Sequence, residues 1–466
     1  MRVSKEKVVM AELKKRSFQV PQVLPELSQE RFSARLQSMR EKMAENNLDA
    51  VVIYGDREHY ANYKYFVGFE PRFEESILVI HKKNPSYLIL GNECFTMHRY
   101  AKLPVQAILN SALSLPDQPM IQAKSFETVF AQAGLNHQMQ VGVIGWKYFT
   151  QAHGSNYSKM FDLPAFLLDP LKAVVGIENM TNATGILINA ESGLRVFSDA
   201  DEIEFLEYGA TWASKGVEDA LANLRPGKSE QEIAEYLVNR GMQQSCHPMI
   251  QTGKNVDKGM VGPTGTKVQR GDGFIICFGL EGGLTCREGY VVESTEELPE
   301  KSRDYIENFV KPYYAAIASW YSTIGIGVTA GEIYDVVDSI IPKAEFGWKL
   351  NPGHLIAMDE WLSSPISKNS KIVFRSGMCV QADIIPSSPD YCGANVEDGI
   401  CLADEALRKS IATQYPEMWK RMQERREYMI QELGIELKPE VLPLSNLNGV
   451  YCPLLLRTNY GLKIIK

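Results

Sequence analysis

Five positions in the second half of the chain set a thiol, an imidazole or a carboxylate in or beside an apolar run. They are Cys277, the Cys-Arg-Glu trio at 286–288, His354, Asp383 and Glu397. A carboxylate buried in a strand is costly unless it is paired, protonated or bound to a metal. Each position also has an ordinary structural explanation, such as a core cysteine or a buried histidine with a partner. Their occurrence together predicts one site rather than five unrelated buried groups.

Two of these positions lie on one predicted β-hairpin. Residues 274–278 form a short apolar run, which is typical of a buried strand, and Gly282-Gly283 permits a tight reversal. The returning strand, 284–292, carries the Cys-Arg-Glu trio. The hairpin therefore sets Cys277 on one arm against the trio on the other.

The remaining positions lie on elements that follow the hairpin. An apolar run at 380–385 contains Asp383, and a strand predicted at 395–403 carries Glu397 near its start. His354 precedes both, and a histidine has a pKa near neutrality that suits general acid or base catalysis. The sequence therefore predicts that separate strands or turns each contribute one group to the site.

An internal repeat indicates how these elements are arranged. The pattern Gly-x-Ser/Thr-x-x-Glu-Ile occurs at 227–233 and again at 327–333. Each copy reads as a capping box that opens an amphipathic helix, and each follows a long helical pattern, at 203–224 and at 303–322. We expect two similar α-plus-β halves related by pseudo-symmetry, with a site enclosed between them.

The first half of the chain has a different organisation. An amphipathic helix predicted at 29–46 leads into a series of strands, which is typical of an α/β domain. The strands are predicted at 48–54, 76–80, 86–90 and 140–144. A segment rich in aromatic and charged residues, 55–76, is predicted to be an exposed binding loop that carries Arg72 and Phe73.

Composition limits the classes of partner. The chain has 466 residues, a net charge of −8 and no run of about 18 apolar residues, so neither a nucleic-acid face nor a membrane span is expected. Eight cysteines are scattered without a CxxC pair. In a sequence with no recognisable export signal, they are expected to be free thiols in a reducing cytoplasm.

The order of these motifs resembles the creatinase/prolidase/methionine-aminopeptidase superfamily, which has the pita-bread fold. The resemblance covers about residues 30–405. After the helix–strand beginning and the repeated half-units, it rests on four short motifs. These are Gly271-Asp272 before a strand, Gly353-His354, Gly377-Met378 before Asp383, and Glu397-Asp398.

The resemblance implies positions for metal ligands. Peptidases of the superfamily hold two metal ions with two Asp, one His and two Glu. The first Asp position falls on Cys277, and the second falls within 286–288. The His position falls on His354, and the two Glu positions fall on Asp383 and Glu397. For the second Asp position, ungapped spacing selects Glu288, whereas a small gap selects Cys286.

The residue types at these positions lead us to expect a site without a metal or other cofactor. Only His354 and Glu397 keep the superfamily's residue type, and Met260 and Val261 stand where a further superfamily histidine is expected. Creatinase represents a metal-free branch of the superfamily. This chain resembles it at the strand after Gly271-Asp272, which reads Cys-Phe at 277–278 as the corresponding strand of creatinase does. Two alternatives remain: one zinc held by thiols, His354 and a carboxylate, or two divalent ions.

The leading hypothesis is a creatinase-like, metal-independent hydrolase or lyase of C–N bonds. Its substrate is expected to be a small amide, amidine or amino-acid-like molecule. His354 would act as general acid or base, with Glu397 and Asp383 orienting it or binding a cationic group. One alternative is a divergent metal-dependent Xaa-Pro aminopeptidase or dipeptidase. The other is a non-catalytic binding protein on the same scaffold.

Further residues are predicted to contact the substrate. Arg287 would hold a carboxylate in its planar fork, and an apolar strand would make Cys277 a wall rather than a nucleophile. In creatinase, the loop that matches Arg72 and Phe73 reaches a partner subunit's site, which implies a homodimer. The predicted substrate contacts are Arg72, Phe73, Cys277, Cys286, Arg287, Glu288, Asp359, Glu360 and Trp361.

The predicted fold is α/β in the broad sense that includes α+β. A creatinase-like N-terminal α/β domain precedes a C-terminal pita-bread domain with pseudo-twofold halves. The predicted segments are an N-terminal extension (1–29), the N-terminal domain (30–190), the pita-bread domain (191–408) and a C-terminal helix and tail (409–466).

Overall fold

The computed structural model describes residues 2–465, and these residues form two structural units. The N-terminal unit is residues 27–195. The site-bearing unit combines residues 196–465 with residues 2–26. None of the helices in the described part of the chain is both long and apolar enough to cross a membrane.

The strands are numbered in chain order. They are β1 Val8–Glu12, β2 Ala50–Gly55, β3 Ser76–His81, β4 Ser86–Leu90, β5 Val105–Leu109, β6 Val141–Ile144, β7 Met180–Asn182, β8 Cys246–Thr252, β9 Gly273–Leu280, β10 Gly283–Tyr290, β11 His354–Leu355, β12 Cys379–Ala382, β13 Asn395–Leu402, β14 Val441–Pro443 and β15 Tyr460–Ile464.

The α-helices are numbered in the same way. They are α1 Gln29–Glu45, α2 Ala61–Val67, α3 Phe126–Gln132, α4 Ala165–Val175, α5 Gly185–Ile188, α6 Ala200–Ala222, α7 Glu230–Ala234, α8 Lys311–Thr323, α9 Ala330–Ile340, α10 Lys343–Phe346, α11 Glu405–Gln414 and α12 Pro416–Gln431.

The N-terminal unit is built on a six-stranded sheet in the order β5-β4-β3-β2-β6-β7. Every residue of β2 and β3 is buried, as their apolar runs predict. Helix α1 begins after Ser28, whose hydroxyl accepts the backbone N–H of Arg31, and it buries the predicted apolar stripe. The predicted α/β character of this half is therefore confirmed.

The predicted exposed loop at 55–76 is only partly a loop. It contains the short helix α2, which buries six of its seven residues. The aromatic residues of this segment are core residues, because Tyr63, Tyr65 and Phe66 are each at most 6% exposed. The loop prediction failed because aromatic side chains carry a large apolar surface that favours burial even in a charged sequence.

The site-bearing unit contains a seven-stranded sheet in the order β11-β12-β13-β10-β9-β8, with β14 pairing to β13. The two predicted capping boxes are present, with Ser229 and Thr329 each accepting the backbone N–H of the glutamate three residues later. Each of these two residues also forms an isolated antiparallel β-bridge with a later segment, Ser229 with Lys267 and Thr329 with Val373. These matched contacts support the predicted pair of α-plus-β halves.

Residues 2–26, which lie in the predicted N-terminal extension, belong to the site-bearing unit. Strand β1 pairs antiparallel with β15, so Val8 lies opposite Ile464. This pairing provides hydrogen-bond partners for the backbone of Val8–Glu12. The predicted C-terminal tail therefore ends in a strand, β15, that is paired with the start of the chain.

Two arginines of α12 fasten this helix to α6 through one buried carboxylate. Glu207, which is fully buried, accepts hydrogen bonds from Arg421 at 2.9 and 2.7 Å. Arg425 approaches the same carboxylate at 2.7 Å. The predicted C-terminal helix is divided into α11 and α12 at Tyr415, and this ion-pair cluster holds α12 against α6.

We expect Glu207→Gln to lower the free energy of unfolding by about 3–5 kcal/mol, because it leaves two buried guanidinium groups without a carboxylate. Glu218→Gln on the same helix is the control, since the ion pair of Glu218 with Arg16 is partly exposed and should cost at most about 1 kcal/mol. Urea unfolding measures both changes. Equal effects of the two substitutions would contradict this explanation.

Candidate functional site

Three buried side chains from three strands or strand ends converge on one point. His354 opens β11, Asp383 directly follows β12 and Glu397 lies in β13. The Nε2 atom of His354 lies 3.5 Å from Glu397 Oε1 and 3.8 Å from Asp383 Oδ2. One ligand atom from each residue lies within 4.8 Å of the others. The structure thus brings together the three residues predicted to be catalytic.

Backbone pairing sets these positions. His354 lies opposite Gln381 on β12, and Ala382 lies opposite Asp398 on β13. Gly353 precedes the histidine with a φ of +119°, and a Cβ atom there would lie 2.6 Å from the carbonyl oxygen of Gln381. A glycine is therefore required where the chain turns into β11.

The ring of His354 is held on two sides. It stacks on Trp361 with a centroid separation of 4.2 Å, and its Nδ1 lies 3.3 Å from the carbonyl oxygen of Leu355. A ring nitrogen that faces a carbonyl must be the N–H donor, which leaves Nε2 as an acceptor toward the carboxylates. Burial lowers the pKa of His354, although the nearby Asp383 opposes that shift.

The carboxyl groups around the histidine also have shifted pKa values. Burial raises the pKa of Glu397 to about 7 and raises that of Asp383 well above its usual range. Glu360, on the segment after β11, has a pKa raised to about 7 by burial and by repulsion from Glu397. Desolvation and mutual repulsion therefore both disfavour the charged forms of these groups.

The thiols predicted at the site lie on the same sheet as Glu397. In the strand register, Met249, Cys277, Cys286 and Glu397 form one row across β8, β9, β10 and β13. Cys286 lies directly opposite both Cys277 and Glu397 in this register, and burial raises the pKa of its thiol well above the usual range. The interaction with Cys286 is the largest single influence and lowers the pKa of Cys277, but burial together with repulsion from nearby glutamates raises that pKa overall. The buried thiol of Cys277 is therefore protonated, and its contact with a substrate stays a prediction.

Two residues that sequence reasoning missed complete the surroundings. The amide nitrogen of Gln381 donates to Glu397 Oε1 at 3.3 Å and to the carbonyl oxygen of Leu284. Cys246 interacts electrostatically with Glu360, and its thiol donates a hydrogen bond to the carbonyl oxygen of His247 at 3.3 Å. The alternation of side chains along a strand offered a signal for Gln381, since it lies two residues before Asp383 and therefore faces the same side.

The structure places Glu288 on the face that carries Cys286 but outside the three-residue cluster. It lies opposite Asn395, two residues along β10 from Cys286. Its carboxylate packs against Gly393, where a Cβ atom would lie 2.5 Å from its oxygens. Burial raises the pKa of Glu288 to about 8. Asp359 is half-buried and lies near Glu360.

Arg287 lies on the opposite face of β10, away from the cluster. Its guanidinium pairs with Asp398 at 2.6 Å and also donates to the carbonyl oxygens of Val450 and Leu447. It lines a cavity of about 460 Å³ behind the sheet, together with residues that include Arg16 and Leu447. These partners occupy the fork that was expected to hold a substrate carboxylate.

The N-terminal loop residues lie in the other structural unit. Arg72 is exposed, and Phe73 is 65% exposed. Exposure of an aromatic side chain is compatible with binding, but their contact with a substrate or a partner subunit remains a prediction.

The donor set fits one divalent metal ion. Two ligands about 2.0–2.1 Å from a tetrahedral zinc lie about 3.4 Å apart, close to the separation of His354 Nε2 and Glu397 Oε1. Asp383 Oδ1 is buried without a hydrogen-bond partner. Neither Asp383 nor Glu397 forms an ion pair with a described lysine or arginine, and their only basic partner is His354. Buried acceptors that face one another in this way favour a bound cation.

We expect Arg287→Met to lower the free energy of unfolding by about 3–5 kcal/mol, because it leaves Asp398 buried without its partner. Arg270→Met is the control, since Arg270 forms exposed ion pairs with Glu293 and Glu297 and its loss should cost about 1 kcal/mol or less. Urea unfolding measures both. A folded Arg287→Met protein of unchanged stability would contradict the structural role.

Comparison with known families identifies two matching regions. Residues 204–403 match metallopeptidase family M24, and residues 35–143 match the creatinase/prolidase N-terminal domain. The first region contains the whole three-residue cluster, and the second lies within the N-terminal unit. The two matches occur in the order that the sequence resemblance predicts.

Individual relatives agree with these matches. An Xaa-Pro dipeptidase of Lactobacillus helveticus is 26% identical over 218 residues, which span 44% of this chain and 57% of that protein. Among solved structures, the prolidase of Pyrococcus horikoshii has a TM-score of 0.61 at 18% identity and covers 79% of this chain and 95% of its own. An Xaa-Pro dipeptidase of Bacillus anthracis has a TM-score of 0.60 at 17% identity, with 80% and 96% covered.

These findings correct two expectations from the sequence. The expectation of no cofactor is wrong, because the chain matches a metallopeptidase family and retains a His-Asp-Glu cluster with metal-ligand spacing. The creatinase-like, metal-independent hypothesis is less well supported than its metal-dependent alternative. The expectation of a C–N bond hydrolase is confirmed at the level of the family. From its two matching regions and its fold, the chain belongs to the creatinase/prolidase superfamily with the pita-bread fold.

Proposed function

We propose that this protein is a metal-dependent hydrolase that cleaves Xaa-Pro dipeptides or removes an N-terminal residue before proline. The observation that carries the proposal is the cluster of His354, Asp383 and Glu397, whose ligand atoms lie within 4.8 Å of one another. The choice of substrate comes from the relatives, several of which are named Xaa-Pro dipeptidases.

The three cluster residues would hold the ion. A divalent metal at this position would supply Lewis-acid polarisation of the scissile carbonyl. His354 contributes Nε2 because its Nδ1–H is directed to Leu355, and Gln381 holds Glu397 in place. Such outer contacts orient metal ligands and strengthen metal binding.

Glu360 is the carboxyl group that would handle protons beside the ion. It is half-buried, it lies outside the three-residue cluster, and it interacts electrostatically with both Glu397 and His354. Cys246 interacts with this carboxyl group, whose Oε2 atom is buried without a hydrogen-bond partner. A positioned carboxyl group of this kind can accept a proton from the attacking water and deliver it to the leaving amine.

Activity on Xaa-Pro dipeptides should depend on the metal. We expect a panel of such dipeptides to be hydrolysed, a chelator to abolish turnover, and added divalent metal to restore it. His354→Ala should lose both metal and turnover, whereas His137→Ala, an exposed histidine of the N-terminal unit, should retain both. Amino-acid release and elemental analysis are the measurements. Turnover that persists without metal would overturn the proposal, and metal binding without turnover would favour a non-catalytic protein.

The role of Glu360 has a separate test. Glu360→Gln should lower kcat by about 10²–10⁴-fold, with unchanged metal content, because the amide can neither accept nor deliver the proton. Glu345→Gln, which changes an exposed glutamate of helix α10, is the control and should leave kcat unchanged. Steady-state kinetics at matched metal loading gives the answer. A Glu360→Gln enzyme with normal kcat would remove this residue from the mechanism.

A further inference from the structure

The cavity behind the sheet lies on the face opposite the three-residue cluster, and its lining divides into two parts. It has a volume of about 460 Å³ and lies wholly within the site-bearing unit. The buried residues of its lining include Leu13, Arg287, Leu447, Val450 and Leu455. The exposed residues of its lining include Lys14, Lys15, Ala222, Thr458 and Asn459. The buried residues therefore form an inner wall, and the exposed residues form a mouth that opens to solvent.

The inner wall is suited to an alkyl chain. Apart from Arg287 its residues are leucine and valine, and none of the lining residues in the described part of the chain is aromatic. Protein interiors leave few voids larger than a water molecule, whereas ligand sites commonly measure about 300–1,000 Å³. Because aliphatic side chains offer water few hydrogen bonds, this space favours an aliphatic ligand over solvent.

Arg287 has no hydrogen-bond donor left for a ligand at the inner wall. Its guanidinium donates to the carboxylate of Asp398 and to four carbonyl oxygens, those of Cys286, Glu397, Leu447 and Val450. These hydrogen bonds use all five N–H groups that a guanidinium has. A charged head group therefore finds no partner at the closed end of the cavity, and its place is at the mouth.

The two acidic residues of the lining already have cationic partners. Glu218 pairs with Arg16 at 2.9 Å, and Asp219 pairs with Lys215 on the same helix. Arg16 itself lines the cavity, so its charge and that of Glu218 offset each other there. Neither carboxylate is left to attract a cationic ligand or to repel an anionic one strongly.

The two lysines at the mouth carry positive charge that the protein leaves largely uncompensated. Lys14 lies 3.6 Å from Glu432, but its side chain is 81% exposed, and ion pairs in water contribute little. Lys15 is exposed and forms no ion pair with a described residue. The mouth is therefore complementary to an anionic head group.

We propose that this cavity binds an alkyl chain with an anionic head group, for which a medium-chain fatty carboxylate is the model ligand. The alkyl chain lies along the inner wall, and the carboxylate lies at the mouth beside Lys14 and Lys15. Binding forms no covalent bond and takes place on the other face of the sheet from the three-residue cluster. It is therefore separate from the proposed hydrolysis, and either can fail without the other.

Chain length and head-group charge test this assignment in the wild-type protein by isothermal titration calorimetry. Hexanoate, octanoate and decanoate, each below its micelle-forming concentration, should bind with an affinity that rises about fourfold for each CH₂ group that becomes buried. Decylammonium should bind about threefold more weakly than decanoate or worse, because its charge faces lysines. An affinity independent of chain length, or equal affinity for decylammonium, would overturn the proposal.

Substitutions at the mouth locate the binding. Ala222→Trp places a large side chain in the mouth and should abolish decanoate binding, whereas Ala406→Trp, at an exposed position of α11, should not. Lys15→Glu should weaken binding about threefold or more, and Lys409→Glu, an exposed lysine of α11, is its control. Decanoate binding that is unchanged in both Ala222→Trp and Lys15→Glu would overturn the assignment to this cavity.

Cysteine protection in the wild-type protein keeps the test independent of variant folding. Cys452 lines the cavity and is half-buried, and Cys246, which is also half-buried, interacts with Glu360 beside the three-residue cluster. Decanoate should slow alkylation of Cys452 by iodoacetamide and leave that of Cys246 unchanged, as measured by mass spectrometry of the peptides. Protection of Cys246 instead of Cys452 would place the carboxylate at the proposed metal site and would overturn the inference.

Discussion

The burial of three hydrogen-bond acceptors against one another is the constraint on which the rest of the structure depends. His354 turns its Nδ1–H toward a carbonyl oxygen, so its Nε2 lone pair faces Asp383 and Glu397. Such a group is stable only with a proton or a cation between its members. In the absence of a bound cation, this burial raises the pKa values of both carboxyl groups.

The sheet of the site-bearing unit holds this group in place by close packing of side chains against glycine positions. At Gly399, a Cβ atom would lie 3.1 Å from the Gln381 side chain, so a glycine leaves room for that amide to reach Leu284 and Glu397. On the other face, Arg287 and Asp398 tie β10 and β13 together. Because side chains alternate along β13, Asp398 of this ion pair and Glu397 of the cluster lie on opposite faces of the sheet.

Much of the fold and the core of the site could be predicted from the sequence. Local signals, namely apolar runs, capping boxes and glycine turns, gave the strands and the paired halves, and the three residues predicted to be catalytic do converge. The predicted role of Arg287 was wrong because its neighbours depend on which strand pairs with β10. The sequence of one strand does not show that pairing. Gln381 and Cys246 were missed because their importance comes from residues distant in the sequence. The expectation of a metal-free site failed because it compared residue types with the superfamily one position at a time. That comparison does not show that His354, Asp383 and Glu397 are close enough to bind one ion together.

Metal content is the most direct test of the central claim. The protein should be purified after growth with zinc, manganese and iron available and analysed by elemental mass spectrometry beside Asp383→Asn. The account predicts one equivalent of a divalent metal in the wild-type protein and almost none in the variant. A wild-type protein without metal, or a variant that retains its metal in full, would contradict the claim that His354, Asp383 and Glu397 form a metal site.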